Sequence, residues 1–137
     1  MKNTLKQTAI LIVTLLILGG CTKDKKFTTG FEGTWELRKT MNGQTGNVTE
    51  VPSGNGTRLV FSKGQFKRYL EGKLINEGRY QIYSYTTSIT KEMAYKVILN
   101  NEDPSSTSTY YSIKNGELLV TGDVYDAPID YYRKIGD

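Results

Sequence analysis

The chain has 137 residues, with 18 Lys and Arg against 14 Asp and Glu, ten tyrosines, one cysteine and no histidine. Without His, and with a single Cys, zinc sites, Ser-His-Asp triads, Cys-His dyads and an intrachain disulfide are excluded, so the chain reads as a non-enzyme with no cofactor and no metal. The formal net charge of +4 is spread along the sequence and gathers into no basic stripe, so no nucleic-acid partner is expected.

The N-terminus is basic through Lys2 and Lys6, and Ala9 to Leu18 is an apolar run broken only by Thr14. That run is about half the ~20 apolar residues a membrane-spanning helix needs. A basic start, a short apolar core and the small pair Gly19-Gly20 form the layout of a secretory signal peptide over residues 1–20. Leu18-Gly19-Gly20-Cys21 resembles the bacterial lipobox. The resemblance implies cleavage before Cys21 and acylation of that residue with palmitate-type chains. Two alternatives are an uncleaved signal anchor, for which the run is short, and ordinary cleavage that leaves a free thiol. Several acyl chains on one residue would anchor the protein permanently, since stable anchoring takes at least two. Residues 21–30, with Lys23, Lys25 and Lys26, read as a polar lipidated tether, either simply solvated or touching anionic head groups. Thr22 is not Asp, which by the sorting rule of double-membraned bacteria implies the outer membrane, facing the periplasm or the surface. Two of the basic residues and none of the acidic ones precede Cys21, so the remainder carries a net charge of +2.

Residues 31–137 are long enough for one domain with one core. Strand signals then follow in order. Thr34 to Lys39 alternates, with Trp35 and Leu37 on one face and Glu36 and Arg38 on the other. Asn42 to Gly56 is rich in Gly, Asn, Ser and Pro and reads as a long loop. Arg58 to Ser62, Gln65 to Leu70 and Leu74 to Tyr85 are separated by tight turns at Lys63-Gly64 and Glu71-Gly72-Lys73, with Gly78 expected to mark a bulge or bend. Glu92 to Leu99 alternates, and Asn100 to Ser106 is a polar loop. Thr109 to Ile113 pairs with Glu117 to Thr121 across Asn115-Gly116, and Asp130 to Ile135 ends the chain. No segment after the leader shows a helical period. The expected fold is all-β: an eight-stranded antiparallel up-and-down meander closed into a barrel, whose interior is either filled by side chains or holds one small ligand. The acidic residues Glu102, Asp103, Asp123, Asp126 and Asp130 sit in turn-rich sequence without a calcium-loop pattern and read as solvated loops.

Gly33-Thr34-Trp35 at the head of the first strand, followed by a meander, resembles the lipocalin signature. With Phe61 to Phe66, Gly78 to Tyr80 and Tyr131 to Arg133, the ordered set resembles short bacterial lipocalin-like lipoproteins. The resemblance implies a barrel end plugged by Trp35 with a basic residue of the last strand over it, and strand parity favours Arg133 for that role. A cation over an indole contributes roughly 0.5–2 kcal/mol. It also implies a small apolar or amphipathic ligand inside the barrel, with Tyr80, Tyr95, Tyr111 and Tyr131 as wall residues or plain core. Arg68 shares parity with Phe66 and Leu70; if those face inward it does too and calls for a partner or an anionic ligand, and the favoured alternative is that a bulge shifts the parity and turns Arg68 to water. The alternative is a solid barrel acting as a structural or protein-interaction lipoprotein, an inhibitor or an accessory of an envelope complex, with the Asn42 to Gly56 loop as a contact region.

Overall fold

The computed structural model describes residues 30–100 and 102–137. The leader, Cys21 and the rest of the tether up to residue 29 lie outside the described residues. Nine strands form: β1 Gly33–Met41, β2 Val48–Glu50, β3 Arg58–Ser62, β4 Gln65–Leu70, β5 Lys73–Thr86, β6 Met93–Leu99, β7 Thr109–Lys114, β8 Glu117–Gly122 and β9 Ile129–Gly136. β1 and β3 to β9 pair antiparallel in sequence order, and β9 pairs back onto β1, so eight strands close a barrel. Closure leaves no open edge on those strands as a set, which is how a meander of this length avoids edge-to-edge aggregation.

Three of the hairpins owe their sharpness to turn chemistry. Lys63-Gly64, Glu71-Gly72 and Asn115-Gly116 are two-residue connections with positive φ at both positions. That geometry matches the twist of the flanking strands and is the reason each turn ends in Gly.

Antiparallel partners share a face, so the register sorts inside from outside. Trp35 stands opposite Leu59, Phe61 opposite Phe66, Ile82 opposite Val97, Ile113 opposite Leu118 and Leu118 opposite Tyr132. These residues form one continuous core, with Phe31, Trp35, Leu59, Phe61, Phe66, Val97, Leu118 and Tyr132 buried. Phe31 precedes β1 and enters the barrel. Its ring lies 5.5 Å from Tyr95 in an edge-on contact and 5.7 Å from Phe61. The Trp35 indole N–H donates to the Phe31 carbonyl at 2.7 Å, which fixes the plug to the strand it precedes. Glu32 completes the cap: it accepts from the Tyr80 hydroxyl at 3.0 Å and from the Lys63 N–H at 3.2 Å.

Three bulges modify the alternation. Arg38 is the extra residue of β1 against β9, Ile135 is extra on β9, and Ile75 is extra on β5 against β4. The expected irregularity at Gly78 is therefore found three residues earlier; Gly78 itself pairs regularly with Phe66. Gly78 lies close under the Asn100 side chain, whose oxygen would be 2.3 Å from a Cβ at that position. The loop read over residues 42–56 also needs correcting, because its middle forms β2 on the edge of β1 beyond the end of β3.

The outward face of the barrel is partly covered by the chain's own connections. The 51–57 segment folds back over β1. Gly54 N–H donates to the Glu36 carboxylate at 3.1 Å, and Asn55 donates to the Leu37 carbonyl at 2.9 Å. Glu36 is thereby 4% exposed although it faces outward, and its charge is met by Arg38 at 2.8 Å. The connection from β6 to β7, with a short 3-10 turn at Pro104–Ser106, lies near β6, where the Lys96 ammonium donates to the Pro104 carbonyl.

Candidate functional site

The residues expected to line the interior divide as follows. Tyr80, Tyr95 and Tyr111 pack against the core on the inward face. They do different work: Tyr80 serves the Glu32 cap, while Tyr95 and Tyr111 present ring edges to Phe31. Burial pushes the Tyr80 phenol up to about 12, helped by the hydrogen bond to Glu32. It is a donor at every physiological pH.

Arg68 stands opposite Leu59 in β4 with no register shift between Phe66 and Arg68 on that side, so it is on the inward face. The bulge falls on β5 one step later, and the inward parity holds through Arg68. Arg68 is nonetheless exposed, so it lies outside the packed core. Among the described residues no carboxylate forms an ion pair with it. Its charge reaches Tyr111 and Tyr132: burial raises both phenols, and Arg68 acts against that rise in each. Asp130 lies on the same inward face, opposite Val120, and accepts from the Thr40 hydroxyl at 2.8 Å.

Tyr131 and Arg133 are placed on the outside. Tyr131 stands opposite Leu119 and lies under the Lys39 ammonium, 4.4 Å from the ring centroid. Arg133 stands opposite Glu36 and Glu117 on the outward face. The residue facing Trp35 across β1 and β9 is Lys134. Tyr131 and Arg133 do share a face, but it is the outward one: Tyr132 between them is the residue that stands opposite Leu37 and Leu118 inside, and the Ile135 bulge lies beyond both. Tyr132 is the inward tyrosine that sequence reasoning passed over. Its signal was the adjacent pair Tyr131-Tyr132, of which one ring must face the core.

A second concave region lies on the outside. A groove of about 340 Å3 is floored by the outward residues Ala94, Ser112 and Leu119 and walled by the β5–β6 hairpin tip and the 122–128 connection. The tip is held by Asp123, whose carboxylate accepts from the Ser88 N–H and hydroxyl, from Tyr85 at 3.2 Å and from Tyr110 at 3.4 Å. Tyr85 and Tyr110 stack at 4.8 Å over the small Ala94 between them, with Lys96 above both rings. The bonds from Ser88 hold the Asp123 carboxyl below its ordinary value of 3.8. A lowered pKa means that the staple stabilises the tip above the ordinary carboxylate range and is lost as pH falls through the lowered value. In Asp123→Asn the amide of Ser88 should therefore exchange faster with solvent than in the parent at neutral pH, with core amides such as that of Phe61 unchanged. Equal protection of Ser88 in both would remove Asp123 as the staple.

The described residues hold no cluster of three or more metal-ligating side chains. Asp123 and Asp130 belong to opposite sides of the sheet, Asp123 to the outer groove and Asp130 to the inward face. No protein family, curated protein or solved structure matches this chain.

Proposed function

We propose that the chain is an exported lipoprotein, anchored through acyl chains on Cys21 to the outer membrane, whose barrel binds a small amphipathic molecule at its mouth. The anchor rests on Leu18 to Cys21 and on the short polar stretch before the first core residue, Phe31. The binding reading is carried by one observation: Arg68 is an inward-facing cation with no ion-pair partner among the described residues, beside Tyr111 and Tyr132. A guanidinium so placed takes a carboxylate or phosphate through charge-assisted hydrogen bonds, and tyrosine rings supply an apolar wall with polar tips. The ligand would sit head-first at Arg68, above the packed rings.

That packing also favours a second reading. Phe31, Phe61, Phe66, Tyr80 and Tyr111 fill the plugged half with mutual ring contacts of 5.1 to 6.4 Å. A barrel filled in this way can serve as a rigid platform for an envelope protein partner.

Native mass spectrometry of the chain from Lys23 onward, purified gently from a host envelope, separates the two. The binding reading expects a stoichiometric extra mass that leaves on denaturation. It also expects Arg68→Ala to weaken uptake of that molecule about 10- to 100-fold, the value of a hydrogen bond to a charged group. A bare mass with no uptake of fatty-acid probes would hand the function to the protein-partner reading.

A further inference from the structure

We infer that the outer groove is a second binding site, separate from the barrel mouth, for a small apolar molecule carrying one positive charge. This goes beyond the mouth reading and does not depend on it.

The outward face of a water-soluble sheet is normally polar, and alternation along each strand enforces that. Here the outward face carries apolar or buried groups in three places. Ile98, which is 3% exposed, stands on the face that the β6–β7 connection adjoins. Glu36 and its neighbours lie under the 51–57 segment. The third place comprises Met41, Ala94, Leu119 and Ile129, and there the chain leaves a hollow. The hollow exists because the floor residues Ala94 and Ser112 are small, while the walls are held away from it. Asp123 fixes the hairpin tip, and Lys114 pairs with Glu92 at the other end of it. Gly43 fixes the opposite wall: a Cβ there would lie 2.2 Å from the Asp126 carbonyl oxygen, so the two loops touch backbone to backbone. The cavity is therefore preformed, and its volume is in the small-molecule range.

Its rim is apolar and exposed. Ile89 is 37% exposed, Val124 59%, Met93 66% and Tyr125 83%. Large side chains gathered round one hollow mark a binding surface more often than chance exposure does.

Charge selects the occupant. The charged side chains lining the groove are Glu92, Asp123 and Asp126 against Lys114, which pairs with Glu92. The Asp123 carboxylate accepts only from the neutral donors of Ser88, Tyr85 and Tyr110, so no ion pair cancels its charge. The hollow thus carries an excess of negative charge beside apolar walls and the exposed Tyr125 ring, whose face also attracts cations. An anion would be desolvated there against like charge. An amine attached to an apolar body meets both requirements. The mouth, with Arg68, has the opposite preference.

The test compares two ions built on one ring, 1-naphthylmethylamine and 1-naphthaleneacetate, titrated into the 15N-labelled chain from Lys23 onward. The barrel and its core are built from residues 31–136, all of which this chain keeps. The amine should give saturable amide shifts at Ala94, Ser112 and Leu119. The acetate should bind there at least 10-fold more weakly. Met93→Lys, at an exposed rim position, should weaken the amine at least 10-fold, and Ile89→Lys repeats the test if the first substitution disturbs the tip. Arg68→Ala should leave the amine unaffected while it alters the mouth. The inference is overturned by no saturable shift in the groove, by equal binding of the two ions, or by amine binding indifferent to both rim lysines.

Discussion

Phe31→Ala should cost about 3–5 kcal/mol of unfolding free energy, the range for emptying a buried aromatic site. The residue lies outside every strand, yet it is 1% exposed and its ring meets Phe61, Tyr95 and Tyr111. Three strands far apart in sequence lean on it, because Phe61, Tyr95 and Tyr111 belong to β3, β6 and β7. Truncation leaves a cavity at the plugged end, and the carbonyl that receives the Trp35 N–H loses its anchor in the core. Urea unfolding followed by Trp35 fluorescence measures the loss directly. Tyr125→Ala, at 83% exposure, provides the control and should move the midpoint by less than about 0.5 kcal/mol. If Phe31→Ala matched that control, the segment before β1 would not be a plug, and the barrel would be open at both ends.

Gly33→Ala should cost about 2–4 kcal/mol, through a strained backbone and a steric clash together. Gly33 has φ of +129°, which an L side chain rarely adopts. A Cβ on it would stand 2.6 Å from the carbonyl oxygen of Gly136 and 2.3 Å from Cε of Lys134. The lysine can swing aside. The carbonyl belongs to β9 where it closes on β1 and cannot move without opening the barrel seam. The glycine two residues before Trp35 is thus a requirement of closure, met at the point where the Ile135 bulge lets β9 pass close to the start of β1. Gly46→Ala separates the two contributions. Its φ is +71° with nothing within 4 Å, so it should lose only about 1–2 kcal/mol, the backbone part. Equal losses at both positions would mean that the approach of Gly136 plays no part.

The strands themselves were legible because each carries its own signal. Alternation in Thr34 to Lys39 and Glu92 to Leu99, and the glycine-ended turns at residues 64, 72 and 116, are local properties of backbone and side chain. They fix eight antiparallel strands and their neighbours without reference to anything distant. The side taken by Arg68 was not legible, because parity with Phe66 points inward while a nearby bulge would turn it to water; the bulge in fact falls at Ile75 on β5, one step past Arg68. The placements of Tyr131 and Arg133 were not legible, because parity says only that the two share a face, and which face that is depends on how β9 pairs with β8 and β1. Likewise β2 forms only because β3 stops short and leaves the end of β1 an unpaired edge.

By itself, then, the sequence determined the all-β class, the order of the strands, the hairpin turns and the absence of histidine and thiol chemistry from the barrel. These follow from residue types and spacings of a few positions. The tertiary structure alone decided that Phe31 is the plug, that Lys134 rather than Arg133 faces Trp35, and that a groove opens beside Asp123 on the outer surface. Each of these depends on contacts between segments tens of residues apart. Closing a sheet into a barrel forces bulges and offsets whose positions are set by the whole ring of strands, and no single strand encodes them.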